Sequence, residues 1–378
     1  MKITSIETIH LSKGITVHCG PIQWLWVRVH TDEGLVGLGE TYPSPESEKA
    51  VVRRLAPILL GRNPLEIDRL WADMFVAVAA SGWAGAEIRA ISALDIALWD
   101  LAGKALGVPI YQMLGGPSRS TIRIYNTCYD RVDFLTEPVR LARELRNSGI
   151  SAMKIWPFDS IARANYGNYI TTDQMQRGLE PLRKIREEFG DSMDVAMEFH
   201  GFWNLPCAIQ IAHAIEPLKP MWLEEMLPQD NLQAYRELAN STPLPLCLSE
   251  RLMTRWGFRE VLESRAARVI MPDICWCGGI SEARKIAAMA ETFYLPVAPH
   301  NCGGPVLHFA SAHLSANLTN LYILETVRRH YLEEYRGILT ADLVPQNGEL
   351  PLPPGPGLGV ELDPAVLTRP DVTKESYQ

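Results

Sequence analysis

Six polar residues recur through the second half of this chain at a nearly constant interval. Glu198, Glu224 and Glu250 are 26 residues apart, and Asp273, His300 and Glu325 follow at steps of 23, 27 and 25. One strand, one helix and their two loops occupy about that length. Each of the six closes a short apolar run, and the full series of such runs ends near Cys128, Trp156, His200, Met226, Arg251, Cys275, Asn301 and Thr326. Eight runs alternating with helix-length segments predict an α/β protein of the (β/α)8 barrel type. The six polar residues then share one structural phase, the carboxyl ends of strands, where barrels build their sites.

The chain is too long for a barrel alone, with 378 residues of which 47% are hydrophobic and 21% charged. Residues 1–116 read as a separate α+β capping domain. A strand near Lys2–His10 precedes Trp24–His30, a turn at Thr31–Gly34 and Leu35–Gly39, which is a β-meander pattern. A helix from about Gly85 to Leu106 carries Ile91, Leu94, Leu98 and Leu101 on one face, and Gly107 with Pro109 stops it. Gly115–Ser120 is a linker, residues 117–340 form the barrel, and residues 341–378, rich in Pro and Gly, form a tail expected to pack on the capping domain.

A net charge of -8 and the lack of any basic run argue against nucleic acid as a partner. No stretch approaches the roughly 18 consecutive apolar residues of a membrane span, and the N-terminus has no signal-peptide pattern, so a soluble, cytoplasmic enzyme is expected. Seven cysteines, an odd number, make no disulfide framework. Cys275, Cys277 and Cys302 have poor spacing for zinc and read as small buried residues.

Three acids at the ends of successive strands crowd negative charge at one side of the barrel mouth, which requires a cation. Hard oxygen donors favour Mg²⁺, with Mn²⁺ as the alternative, held by Glu198, Glu224 and Glu250. Glu225 neighbours Glu224 and points the other way along a strand, so the 26-residue phase selects Glu224. Asp273 beside His300 fixes an imidazole tautomer and raises its basicity, the design of a general base. His200, two residues beyond Glu198, shares its face and reads as a second acid or base. Lys154 ends the second run and brings a positive charge that would stabilise a developing enolate. Glu325 would face it and, if protonated, hydrogen-bond a substrate carboxylate. His213, His308 and His313, inside helical segments, read as structural.

These residues resemble the enolase superfamily, in particular its mandelate racemase subgroup. The resemblance spans essentially the whole chain, including Ala93–Asp100, Gly278–Arg284, Ala298-Pro-His300 and the C-terminal Gly-Pro-Gly-Leu-Gly. It implies the three-glutamate metal site, the Asp273–His300 base, Glu325 as a substrate partner and a homo-oligomer, octamer or dimer. It also implies a mobile loop near residues 14–24 closing over the site, which gives His18, Cys19 and Gln23 a specificity role, with Trp156 as a further substrate contact. Two residues depart from the subgroup pattern: Glu198 stands where Asp is usual, and Trp156 stands where a second lysine, the opposite-face base, is usual. Glu198-Phe-His200 is instead similar to the Asp-x-His of acid-sugar dehydratases. The implied reaction is dehydration of an aldonate or aldarate to a 2-keto-3-deoxy acid. Racemisation, epimerisation or lactone cycloisomerisation on the same enediolate platform is the alternative, and a barrel that binds a sugar acid without turnover is the third reading.

Overall fold

The computed structural model describes residues 1–17 and 20–378, and the side chains of all of these except 13–17 and 20–21. Three strands open the chain, β1 (Ile3–Val17), β2 (Gly20–Thr31) and β3 (Val36–Thr41), followed by helices α1 (Pro45–Leu59), α2 (Ile67–Ala79), α3 (Ala86–Leu106) and the short α4 (Ile110–Met113). Then come β4 (Thr121–Thr127), α5 (Pro138–Asn147), β5 (Ala152–Ile155), α6 (Asp159–Asn165), α7 (Thr172–Phe189), β6 (Asp194–Glu198), α8 (Leu205–Ile215), β7 (Leu223–Glu224) and α9 (Leu232–Ser241). The series continues through β8 (Leu246–Leu248), α10 (Thr254–Ser264), β9 (Val269–Ile270), α11 (Gly279–Thr292), α12 (Pro305–Asn317) and β10 (Leu324–Thr326). Two strands close the chain, β11 (Glu349–Pro351) and β12 (Val372–Tyr377).

The small sheet has the order β12-β1-β2-β3, all antiparallel, so the last strand completes the unit begun by the first. The tail also serves the barrel, because β11 pairs antiparallel with β4. α3 lies between the two units and is buried along most of its length. Its close approach to β3 requires glycine: a Cβ on Gly37 or Gly39 would stand 2.0 Å or 1.9 Å from the carbonyl oxygens of Ala97 or Ala93. Gly107, at φ 70°, ends α3 in the left-handed cap expected of it.

The large sheet runs β10-β4-β5-β6-β7-β8-β9 with parallel neighbours, and parallel bridges from Ile270 to Val297 and from Val297 to Leu321 carry it round to the β10 side. This is the (β/α)8 architecture, with the seventh strand reduced to bridges at Val297 and His300. The inside is filled by Tyr125, Ala152, Ala196, Trp222, Cys247, Val269, Met271, Ala298 and Ile323. Strand side chains alternate, so the residue two positions beyond an inward one also faces inward. Thr127, Lys154, Glu198, Glu224, Asp273, His300 and Glu325 each stand two positions past one of these plug residues. A polar layer therefore caps an apolar one. Glu250 breaks the common phase expected for it, because two positions past Cys247 is Ser249.

Residues 14–24, expected as a closing loop, include the end of β1 and the start of β2, paired through Ile15–Ile22 and Val17–Gly20. His18 and Cys19 lie outside the described residues. Among the described residues no helix is long and apolar enough to cross a membrane.

Candidate active site

The polar layer opens into a cavity of about 150 Å³. Lys154, Glu198, His200, Glu250 and His300 line its charged side, with Tyr42, Tyr129, Trp156, Phe202 and Trp276 as aromatic walls. Trp156 stands edge-on to the His200 ring at 6.1 Å. Gln23 does not line this cavity. Its side chain hydrogen-bonds His10 at 3.1 Å and donates to the Ser12 carbonyl at 2.9 Å, and the hairpin contributes Ile22 to the wall instead.

Lys154 is the hub of the acids. Its ammonium pairs with Glu224, with Glu325 Oε1 at 2.9 Å and with Glu198 Oε2 at 3.4 Å. Burial would lower its pKa, but Glu224 and Glu325 together hold it well above the ordinary lysine value. Burial and then the charge of Glu198 push Glu224 far above the carboxylate range, despite Lys154. Burial resists ionisation of Glu198 too, yet His200, a hydrogen bond from Glu224 and Lys154 hold it well below that range. The backbone N–H groups of Phe199 and His200 also donate to Glu198 Oε1, at 3.0 Å and 2.7 Å. Glu250 leans on Arg251 at 3.5 Å, and its Oε2 is a buried oxygen with no hydrogen-bond donor.

An all-oxygen donor set of three buried carboxylates, with one carboxylate oxygen orphaned, describes a site that a hard divalent cation relieves. The three glutamates therefore fit such an ion chemically. Their oxygens do not yet gather as a coordination set. Among the described residues, the donor atoms that lie within 4.8 Å of one another belong to His300, Cys302 and Glu325. Lys154 stands between Glu198 and Glu224, paired with both.

Glu225, on the opposite strand face from Glu224 and expected in a loop or just behind the metal ligands, is wholly buried behind this layer. It accepts a hydrogen bond from Ser249 and stands 3.3 Å from Arg251. Burial and Glu250 push its carboxyl far up.

His300 Nδ1 stands 2.7 Å from Asp273 Oδ2, and the Cys275 backbone N–H donates to Asp273 Oδ1 at 2.7 Å. Burial opposes protonation of His300, but Glu325 and Asp273 raise its pKa to about 9. Its Nε2 faces Glu325 Oε2 at 3.7 Å. Burial raises the Glu325 carboxyl, but the charges of Lys154 and His300 outweigh it and draw its pKa down to about 2. Thr127 and the backbone N–H of Asn301, at 2.9 Å, also donate to it.

Two partners escaped the sequence reading. Tyr42, directly after β3 of the small sheet, donates to Asp273 Oδ2 at 2.5 Å and lines the cavity. Asp159, at the start of α6, stands 2.8 Å from His200 Nδ1. Burial would lower the His200 pKa, but Glu198 and Asp159 raise it. The signal for Asp159 was a carboxylate just past the second strand. Nothing near Tyr42 in sequence points to Asp273.

Comparison with known proteins supplies the family. The model of the mandelate racemase/muconate lactonizing enzyme N-terminal domain matches residues 7–115, and that of the enolase C-terminal domain-like family matches residues 137–366. A D-xylonate dehydratase from Haloferax volcanii is 33% identical over 96% of this chain and 87% of its own length. A D-galactonate dehydratase from Xanthomonas euvesicatoria is 34% identical over 98% of this chain and 94% of its own. The crystal structure of an enolase of the mandelate racemase subgroup from Agrobacterium tumefaciens superposes with a TM-score of 0.92 at 45% identity, covering 100% of this chain and 99% of that one. With both of its domains matched, this chain belongs to the mandelate racemase/muconate lactonizing group of the enolase superfamily.

Proposed function

We propose that this protein is a hydro-lyase that dehydrates a sugar acid, an aldonate or aldarate, to a 2-keto-3-deoxy acid. The observation that carries the reading is one cavity with two histidines, each keyed to its own carboxylate, His300 to Asp273 and His200 to Asp159. Elimination needs a base for one carbon and an acid for the hydroxyl on the next. The dehydratase names of the Haloferax and Xanthomonas relatives support the same reaction class.

Members of this family typically bind a divalent metal ion. Glu198, Glu224 and Glu250 would hold it, Mg²⁺ by their hardness, and when bound it supplies electrophilic stabilisation of the substrate carboxylate. Lys154 adds a fixed positive charge where negative charge develops on that carboxylate. His300 Nε2 takes the C2 proton, while Asp273 fixes Nδ1 as the protonated nitrogen and stabilises the imidazolium formed. His200, whose pKa Glu198 and Asp159 raise, gives its proton to the C3 hydroxyl, which leaves as water. The resulting enol takes a proton at C3 to become the keto acid. The aromatic walls exclude bulk water during these transfers.

Incubation of the protein with Mg²⁺ and a panel of aldonates and aldarates, D-xylonate and D-galactonate included, tests the reading. A semicarbazide-reactive keto acid is expected from at least one member. Deuterium entering C2 from heavy water with no keto acid would replace dehydration by epimerisation, and no product or exchange across the panel overturns both.

A further inference from the structure

The three glutamates are hard donors, but the cavity holds a second and softer set. We propose that His300 Nε2, Cys302 Sγ and Glu325 Oε2 form a binding site for a soft divalent transition-metal ion, Zn²⁺ foremost, separate from the glutamate site. Their donor atoms lie within 4.8 Å of one another, and all three residues are buried. His300 and Cys302 line the cavity, so the ion has a way in.

The donor chemistry separates the two sites. A nitrogen, a sulfur and a carboxylate oxygen suit Zn²⁺ in a tetrahedral set, with the fourth position open to the cavity, whereas Mg²⁺ takes oxygen ligands and leaves thiols alone. Asp273 at Nδ1 is the outer partner that a metal-binding imidazole usually has, fixing the ring so that Nε2 presents its lone pair. Glu325 turns Oε1 to Lys154 and Thr127 and Oε2 to His300, so the two cations would use different oxygens. Cys302 is set apart from the other nearby thiols. Cys275 donates to the Glu40 carbonyl and Cys277 to the Gly279 carbonyl, both buried away from the cavity. Binding displaces the Cys302 thiol proton and, below about pH 9, the Nε2 proton of the His300 imidazolium, and both leave to solvent. Occupation would also take the Nε2 lone pair of His300, so a soft ion here would silence that imidazole as a base while leaving the glutamates free for Mg²⁺.

Cobalt titrated into the full chain in excess Mg²⁺ reads the site without any substrate, so the result stands apart from the dehydratase reading. A near-ultraviolet thiolate-to-cobalt charge-transfer band is expected at one ion per chain, displaced by Zn²⁺ but not by further Mg²⁺. Cys302→Ser should abolish it, Cys275→Ser and Glu224→Gln should retain it, and His300→Asn should weaken Zn²⁺ binding at least about tenfold. Zn²⁺ should also slow alkylation of Cys302 in the unaltered chain, a readout that does not depend on any variant folding. No band, a band that survives Cys302→Ser in a folded variant, or alkylation at Cys302 indifferent to Zn²⁺ overturns the proposal.

Discussion

Glu40, Asp95 and Asp100, at the seam between the small sheet and the barrel, are buried as fully as Glu198, Glu224 and Glu325 at the strand ends. Their surroundings differ. The seam acids are met mostly by N–H and O–H donors from the other parts of the chain they join. Asp95 accepts from the backbone N–H and hydroxyl of Ser281, at 2.9 Å and 2.5 Å. Asp100 accepts from the backbone N–H groups of Leu38 and Leu358, at 2.8 Å and 2.7 Å, and pairs with Lys104 at 2.6 Å. Glu40 accepts from the Trp26 indole at 2.8 Å and from Val306 and Leu307 at the N-terminus of α12, at 3.2 Å and 3.1 Å. The strand-end acids also accept N–H and O–H donors, but they face one another around one lysine as well. A buried acid is therefore no mark of a site by itself. Donors met across a packing seam make it a fastener, and several acids gathered around one cation at a cavity make a candidate binding group.

The comparison predicts that the two sets fail differently. At the site, His300→Asn should lower the rate of C2 proton exchange by about 10²–10⁴-fold while the melting temperature holds, because the group serves proton transfer. Glu250→Gln should likewise abolish Mg²⁺-dependent turnover without loss of stability, since its Oε2 has no donor to lose. A large fall in melting temperature for either variant would erase the distinction. At the seam the effect should reverse. Asp95→Ala leaves two donors of Ser281 unpaired and should cost about 3 kcal/mol of unfolding free energy, read by denaturant titration, with Mg²⁺ affinity unchanged.

The strand-end acids were legible in the sequence because strand alternation and barrel repeat are both periodic along the chain. Lys154, Glu198, Glu224, Asp273, His300 and Glu325 all obey that phase. So was α3, whose stop at Gly107 is chemical. The failures share a cause as well. Tyr42 and Asp273 are 231 positions apart, and only the docking of β3 on the barrel joins them. The pairing of Glu325 with Lys154 likewise comes from tertiary structure, through the pairing of β10 with β4 and of β4 with β5. Glu250 keeps the 26-residue step yet stands one position off the inward phase, a local departure that no repeat reveals.

Buried histidines give the comparison a pH test. His308 and His313 tie α12 to the C-terminal segment, through the Leu343 carbonyl at 2.9 Å and the Leu358 carbonyl at 3.0 Å. Burial lowers both to about 4, with those carbonyls opposing it. The unfolded chain takes up protons from about pH 6.5 downward and the folded one only near 4, so the stability they contribute is complete above 6.5 and is lost as pH falls towards 4. Each should remove about 1.4 kcal/mol per pH unit in that window. Glu40 and Asp95 work the other way: burial raises both to about 7, so folding gains as pH falls below that value. Thermal melts between pH 7.5 and 5 should therefore show His308→Gln less acid-sensitive than the parent, and equal slopes would contradict the assignment.

The smallest effect is expected where the seam reaches the site. Tyr42 directly follows β3 of the small sheet, yet its hydroxyl and His300 Nδ1 share Asp273 Oδ2, at 2.5 Å and 2.7 Å. Removing the hydroxyl leaves that oxygen with one donor in place of two. The carboxylate charge is then less neutralised, which raises the His300 pKa while loosening the ring's alignment. Tyr42→Phe should lower turnover by about tenfold and shift the basic rise of the rate profile to higher pH, with the melting temperature within a few degrees of the parent. A melting temperature that falls as far as in Asp95→Ala would make Tyr42 another fastener. A rate loss with no shift in the pH profile would mean that it holds substrate and not the dyad.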